Sequence, residues 1–341
     1  MKKIISVFTV IILLMGVFTM TSSALDYNRK TKDINIRDPF VLVYDGKYYM
    51  YGTGLAGSGY GCAVSEDLES WSENIQVFAP SAGFEGDGNY WAPECHYYKG
   101  NFYLFATYHS KETGFRGVGI FKSNSPLGPF ELISDGHITP HTRDCIDGTL
   151  YVDDNGTPWM VYVNEWTSNE DGVGTMAAAQ MSDDLTHFVS EPTVLFKANG
   201  HIWTDSKVTD GPFLYKTSQG NLVMLWSNSA KSGGYAVGLC RSNNGKIDGK
   251  FIQQPTAVYK KDKSNTLDGG HGMLFTDLEG NLKMAIHSPN SSGDGVYEAA
   301  KFIDMVDTGT SLAIKGTESK INTFFLEKYF QILGFFAEIF G

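Results

Sequence analysis

The chain has 341 residues, 42% of them hydrophobic and 13% aromatic, which is enough for a large packed core and too much for a disordered chain. Its net charge of −11 comes without a basic cluster, which argues against nucleic acid or an anionic surface as the main partner, because phosphate binding needs concentrated Lys and Arg. A neutral substrate is the simpler expectation.

Lys2-Lys3, the apolar run 4–20 and the small residues Thr21-Ser22-Ser23-Ala24 predict an export signal over residues 1–24, cut after Ala24. A retained membrane anchor is the alternative, since the run nears the lower limit for spanning. Either reading places the domain outside the cytoplasm, secreted or at the cell surface. Residues 25–32 form a polar lead-in, expected to supply a closing strand to the last structural repeat.

Next comes a hairpin pattern: Asp38-Pro39-Phe40-Val41-Leu42-Val43-Tyr44, a turn at Asp45-Gly46-Lys47, and the aromatic return Tyr48-Tyr49-Met50-Tyr51. The plan recurs from Trp91-Ala92-Pro93-Glu94, from Asp147-Gly148-Thr149, from Asp210-Gly211-Pro212 and from Gly270-His271-Gly272. Copies about fifty to sixty residues apart indicate a propeller rather than one continuous sheet. Each hairpin is followed by a further strand, a Ser-bearing turn and a closing aromatic, as at Ser65 to Trp71, Ser123 to Phe130 and Ser182 to Phe188, with a looser version at Ser242 to Phe251. Four strands per unit and five units predict an all-β fold, a five-bladed β-propeller over residues 25–317.

Cys62, Cys95, Cys145 and Cys240 are scattered, without CxxC spacing, in or beside β-rich runs, and read as mostly free, small hydrophobes. The tail 318–341 changes period: Phe324, Phe325, Tyr329, Ile332, Leu333, Phe336 and Phe340 recur every three to four residues, predicting a short C-terminal amphipathic helix. Capping the propeller, dimerising and lying on a membrane are its three open roles, and a polar face that is not basic ranks packing ahead of lipid.

The first strand of each propeller blade lines the central channel, so Asp38, Glu94, Asp147, Asp210 and His271 are expected to converge there. Four carboxyl groups and an imidazole in one funnel are costly as structure, because like charges raise one another's pKa, and they point to a functional site. Trp91 and Trp166 offer flat apolar platforms beside the strand starts, and Tyr90 and Trp203 are weaker candidates.

Arg37-Asp38-Pro39, Tyr90-Trp91-Ala92-Pro93-Glu94, Ile146-Asp147-Gly148-Thr149 and Thr209-Asp210-Gly211-Pro212-Phe213 resemble, in order, the motifs of glycoside hydrolase family 43. The resemblance implies a five-bladed propeller acting on arabinofuranosyl, xylosyl or galactofuranosyl bonds of plant-type polysaccharides, by an inverting mechanism with base and acid about 6.5 to 9.5 Å apart. By the same resemblance Asp38 matches the general base and Asp147 the residue that tunes the acid. The family's acid is usually a Glu before Gly-Pro, where this chain has Asp210. Two assignments stay open: Asp210 is the acid on a backbone moved closer, or Glu165 donates the proton. His271 resembles a central histidine that lies near a metal, commonly calcium, so a structural calcium ion near the channel is implied. Arg37, Glu94, Trp91 and Trp166 are the candidate substrate-binding residues, and oligosaccharide or polysaccharide the expected partner.

A retaining fructan-hydrolysing family also carries Arg-Asp-Pro and Glu-Cys, as Arg37-Asp38-Pro39 and Glu94-Cys95 do here, but no Asn-Asp-Pro lies upstream of Asp38. The alternative from another class is a catalytically impaired carbohydrate-binding propeller, favoured by the Asp at position 210. The loops 54–60, 83–89 and 164–174, which would select the sugar, have no readable code.

Overall fold

A computed structural model describes residues 25–290, 297–320 and 322–340, so the expected export signal lies outside the described residues. Five antiparallel sheets follow one another along the chain, and they form the expected five-bladed propeller. The inner strands are Arg37–Tyr44, Gly86–Tyr98, Cys145–Val152, Asp210–Lys216 and Gly270–Thr276. Strands further out are squeezed between neighbouring blades and buried on both faces, which is why they read as continuous apolar runs instead of alternating ones. Tyr60–Ser65 and Tyr235–Ser242, for example, are buried at every position. The repeated serines are turn caps: the Oγ atoms of Ser65, Ser123 and Ser182 accept backbone N–H groups two to five residues on. All four cysteines are free and buried.

The lead-in does not close the last blade. Arg29–Lys30 pairs instead with Ser70–Trp71 of the first, because the fifth blade already has its own outer strand, Leu312–Ile314 against Ala299–Asp307. The ring closes through Ile36, whose N–H donates to the Glu298 carbonyl at 3.0 Å, and through Arg37, which meets the Glu298 carboxylate at 2.6 Å. Beyond the fifth blade, the helix Thr323–Phe340 lies against the outer edge of blade four, held by Arg241 to Glu327 and by the buried ring of Phe330.

All five inner strands carry the same defect. The pairing with the second strand slips between Arg37 and Phe40, Trp91 and Glu94, Ile146 and Thr149, Asp210 and Phe213, and Gly270 and Met273. At each slip the residue after the first of these is left-handed: Asp38 (φ 54°), Ala92 (40°), Asp147 (55°), Gly211 (52°) and His271 (54°). Pro39, Pro93, Gly148, Pro212 or Gly272 follows, and a proline that cannot donate to the ladder is at home in a bulge.

The backbone N–H of each left-handed residue crosses to the preceding blade. Ala92 donates to Thr53 Oγ1 at 2.7 Å, Asp147 to Thr107 Oγ1 at 3.1 Å, His271 to Ser227 Oγ at 2.8 Å and Asp38 to His287 Nδ1 at 3.2 Å. The four acceptors face the residue just before each bulge across the hairpin, at equivalent places on their second strands. On blade three that place is Val163, which has no acceptor, and the Gly211 N–H goes to Asp147 Oδ2 at 3.0 Å.

Thr107→Val keeps the shape and removes one seam acceptor, leaving the buried Asp147 N–H unpaired. The expected cost is about 1–3 kcal/mol in denaturant unfolding, and an unchanged midpoint would refute a structural role for the seam.

Candidate active site

The bulges build a cavity of about 370 Å³ at the mouth of the channel. Its floor comes from the left-handed positions, where Asp38, Asp147 and His271 point inward and Ala92 and Gly211 are too small to fill the space. Its wall comes from the residues just before them, Arg37, Trp91, Ile146 and Asp210. Thr53, Glu165, Trp166 and Tyr235 close the sides from later strands and the loop after Asn164. The acids therefore do not share one register. Asp210 stands one residue before its bulge, and Glu94 two residues beyond the left-handed Ala92.

That offset takes Glu94 out of the expected set. It is not among the residues lining the cavity, and its Oε2 pairs with His96 Nε2 at 3.0 Å. Tyr90 turns its hydroxyl to the Gly86 carbonyl, and Trp203 is core, packed edge-to-face against Trp226. Trp91 and Trp166 do line the cavity, and the Arg116 guanidinium lies 5.5 Å from the Trp91 ring. Arg37 lines it too, with its charge turned to Glu298.

Three aspartates of one chemical type are driven apart by their surroundings. Burial pushes the Asp38 carboxyl up, but His271 Nδ1 at 3.1 Å and the charge of Arg37 outweigh it, holding Asp38 well below the usual range and ionised. Its Oδ2 also accepts the Thr53 hydroxyl at 2.8 Å. Burial alone would pull the His271 imidazole down. Asp38 and Asp147 on either side outweigh that and raise it to about 10, so His271 is a fixed cation. Burial raises Asp147, with His271 opposing and Asp38 adding to the rise. Burial and then the Asp147 charge raise Asp210 to about 7, while the Tyr235 hydroxyl, donating to Oδ2 at 2.8 Å, pulls it partly back. His287 accepts the Asp38 N–H on Nδ1, faces Asn290 through Nε2 at 2.9 Å and, lowered by burial to about 4, stays neutral.

Glu165 reaches the cavity, and burial raises its pKa, but Arg116 grips its Oε2 through Nη2 at 2.7 Å and Nε at 2.9 Å. Among the described residues Asp210 has no such cation in contact, and it is the better-placed proton reservoir. If a calcium ion binds at this histidine, His271 would meet it through Nε2, since Nδ1 faces Asp38 at 3.1 Å and Asp147 at 3.8 Å. Nothing below depends on a metal.

Thr53, Tyr235 and Arg116 were not read from the sequence. Thr53 was within reach, since it faces Arg37 across the first hairpin, but Tyr235 and Arg116 open third strands, whose shared Ser lies at the opposite end.

The chain matches a family model, glycosyl hydrolases family 43, over residues 31–304. An endo-arabinase structure from Bacteroides thetaiotaomicron VPI-5482 aligns with a TM-score of 0.74 and 34% identity, covering 82% of this chain and 98% of that one. A probable arabinan endo-1,5-α-L-arabinosidase C of Aspergillus fumigatus is 31% identical over 68% of this chain and 72% of its own length. An extracellular exo-α-(1→5)-L-arabinofuranosidase of Cellvibrio japonicus is 27% identical over 46% of each chain. The chain spans about half the length of the first curated relatives it matches.

Two substitutions should move the alkaline limb of the pH–rate profile in opposite directions. Asp147→Asn keeps an oxygen for the Gly211 N–H and removes the charge that raises Asp210, so Asp210 should ionise earlier and the limb, near pH 7 in the wild type, should move down. Tyr235→Phe removes a donor that stabilises the Asp210 carboxylate, so the limb should move up. Limbs that stay put in both variants would show that Asp210 does not govern the alkaline side.

Proposed function

The chain belongs to glycosyl hydrolases family 43, and we propose that it is an exported enzyme cleaving α-1,5-linked L-arabinofuranosyl bonds of arabinan with inversion at the anomeric carbon. The observation that carries the proposal is the split between Asp38, held ionised by His271, and Asp210, held protonated by burial and Asp147. A base and an acid poised in opposite protonation states on different blades are what a single displacement by water requires. Asp38 takes a proton from the water as its oxygen bonds to the anomeric carbon. The glycosidic C–O bond breaks, and the proton of Asp210 goes to the departing oxygen. Asp147 keeps Asp210 protonated through its charge and fixes the Gly211 backbone beside it.

Arabinan is favoured over xylosyl and galactofuranosyl polymers because the relatives named above carry arabinan activities. Trp91 and Trp166 supply faces for neutral sugar rings. Export rests on the apolar run 4–20. The polarised carboxyl pair weighs against the binding-only alternative, for which uncharged polar groups would serve as well.

Asp38→Asn should lower turnover about a hundredfold to ten-thousandfold on linear arabinan. Asp210→Ala should keep most of its activity on a dinitrophenyl arabinofuranoside, whose leaving group departs unprotonated, and lose it on arabino-oligosaccharides, whereas Glu165→Ala should weaken both alike. Proton NMR of the first product should show the inverted anomer. Retention, or release of xylose in preference to arabinose, would overturn the corresponding part of the proposal.

A further inference from the structure

The C-terminal helix is a fixed part of the fold on one side and bare on the other. Arg241 binds Glu327 through both nitrogens, at 2.6 and 3.0 Å, Asn243 meets Glu338 at 3.0 Å, and the Tyr329 hydroxyl donates to the Gln253 carbonyl at 3.2 Å. Phe330 is buried, and the helix comes so near blade four at Gly334 that a Cβ there would lie 3.0 Å from Asn243 Cβ. These contacts stop the helix from rolling to hide its outer face.

That face carries Phe324, Phe325, Ile332, Phe335 and Ile339, exposed by 66, 67, 54, 60 and 54%. With about 150–250 Å² for a large side chain, they leave on the order of 600 Å² of apolar surface in water. That sits at the upper end of what an ordinary monomer exposes, and it approaches the roughly 800 Å² that each partner contributes to a standard interface.

We propose that this face is a homodimer interface whose occupant is the same face of a second copy of the chain. A two-fold arrangement needs only one self-complementary patch, and a straight apolar helix face laid antiparallel on itself supplies one. Charge selects the occupant. The helix has a single cation, Lys328, hydrogen-bonded to Gln331, and the chain carries −11 overall, so an anionic lipid surface would repel it. No described helix is long and apolar enough to cross a membrane. A second copy asks for apolar contact around one cation per copy, Lys328, which lies between Phe324 and Ile332, and the acids Glu327 and Glu338 are already engaged with blade four. No helix residue lines the catalytic cavity, so dimerisation leaves both cavities open.

Sedimentation equilibrium of the full mature chain should give twice the single-chain mass at micromolar concentration. Phe325→Ser combined with Phe335→Ser should raise the dimer Kd at least about a hundredfold without changing turnover of an aryl arabinofuranoside, which also reports that the fold is intact. Ile332→Lys, which sets a charge opposite its own copy across the two-fold, is the second variant and should do the same. A wild type that is monomeric at every concentration, or variants that dimerise as tightly as wild type, would overturn the proposal. So would co-flotation of a monomeric wild type with phosphatidylcholine vesicles, with or without phosphatidylglycerol, which would assign the face to lipid.

Discussion

The left-handed residue at the mouth of each inner strand is the constraint on which the site depends. Four of the five are not glycine, and such a conformation costs on the order of 1–3 kcal/mol each unless the surroundings over-determine it. Here the surroundings do, because the N–H of each of these residues is the one that binds the blade before it. Inter-blade adhesion therefore falls on five residues, and four of them also carry the strain. The bulge also turns two consecutive side chains toward the channel at different heights, which gives the cavity a floor and a wall from a single device.

Electrostatics follow from that two-level arrangement rather than from residue type. Asp38 and Asp147 flank His271 on the floor, and the imidazolium is close enough to the first, at 3.1 Å, to fix its charge and further from the second, at 3.8 Å. Asp210, on the wall, has a carboxylate neighbour and a phenol but, among the described residues, no cation in contact, so burial dominates. The exception at Val163 sharpens the effect. Because blade three offers no acceptor there, the Asp147 carboxylate itself holds blade four, and the charge that raises Asp210 is tied to the backbone that carries Asp210.

Much of this was legible in the sequence, because five hairpins with similar turns and Ser-capped corners leave a period that composition cannot hide. The identity of the floor was legible as well: Asp38, Asp147 and His271 open their strands and meet. The stagger was not. Glu94 and Asp210 look equivalent to the others when the motifs are matched on their acids, and only matching on the Pro or Gly that follows each bulge puts Glu94 beyond the cavity and Asp210 in its wall. The lead-in went astray for a different reason, since a two-residue strand of Arg29 and Lys30 carries no pattern that says which sheet it joins.

The aspartate at position 210 stands where the family pattern has a longer glutamate, and the glycine that follows is common to both. Gly211 packs directly on the fifth blade. A Cβ on it would lie 2.8 Å from the ring of His271 and 3.1 Å from its Cα, so blade four leans against the fifth blade more closely than any side chain at that position would permit. Its φ of 52° is also one that glycine adopts without the strain borne at the other four bulges. The Tyr235 hydroxyl, donating to Oδ2 at 2.8 Å, holds the shorter carboxyl in place.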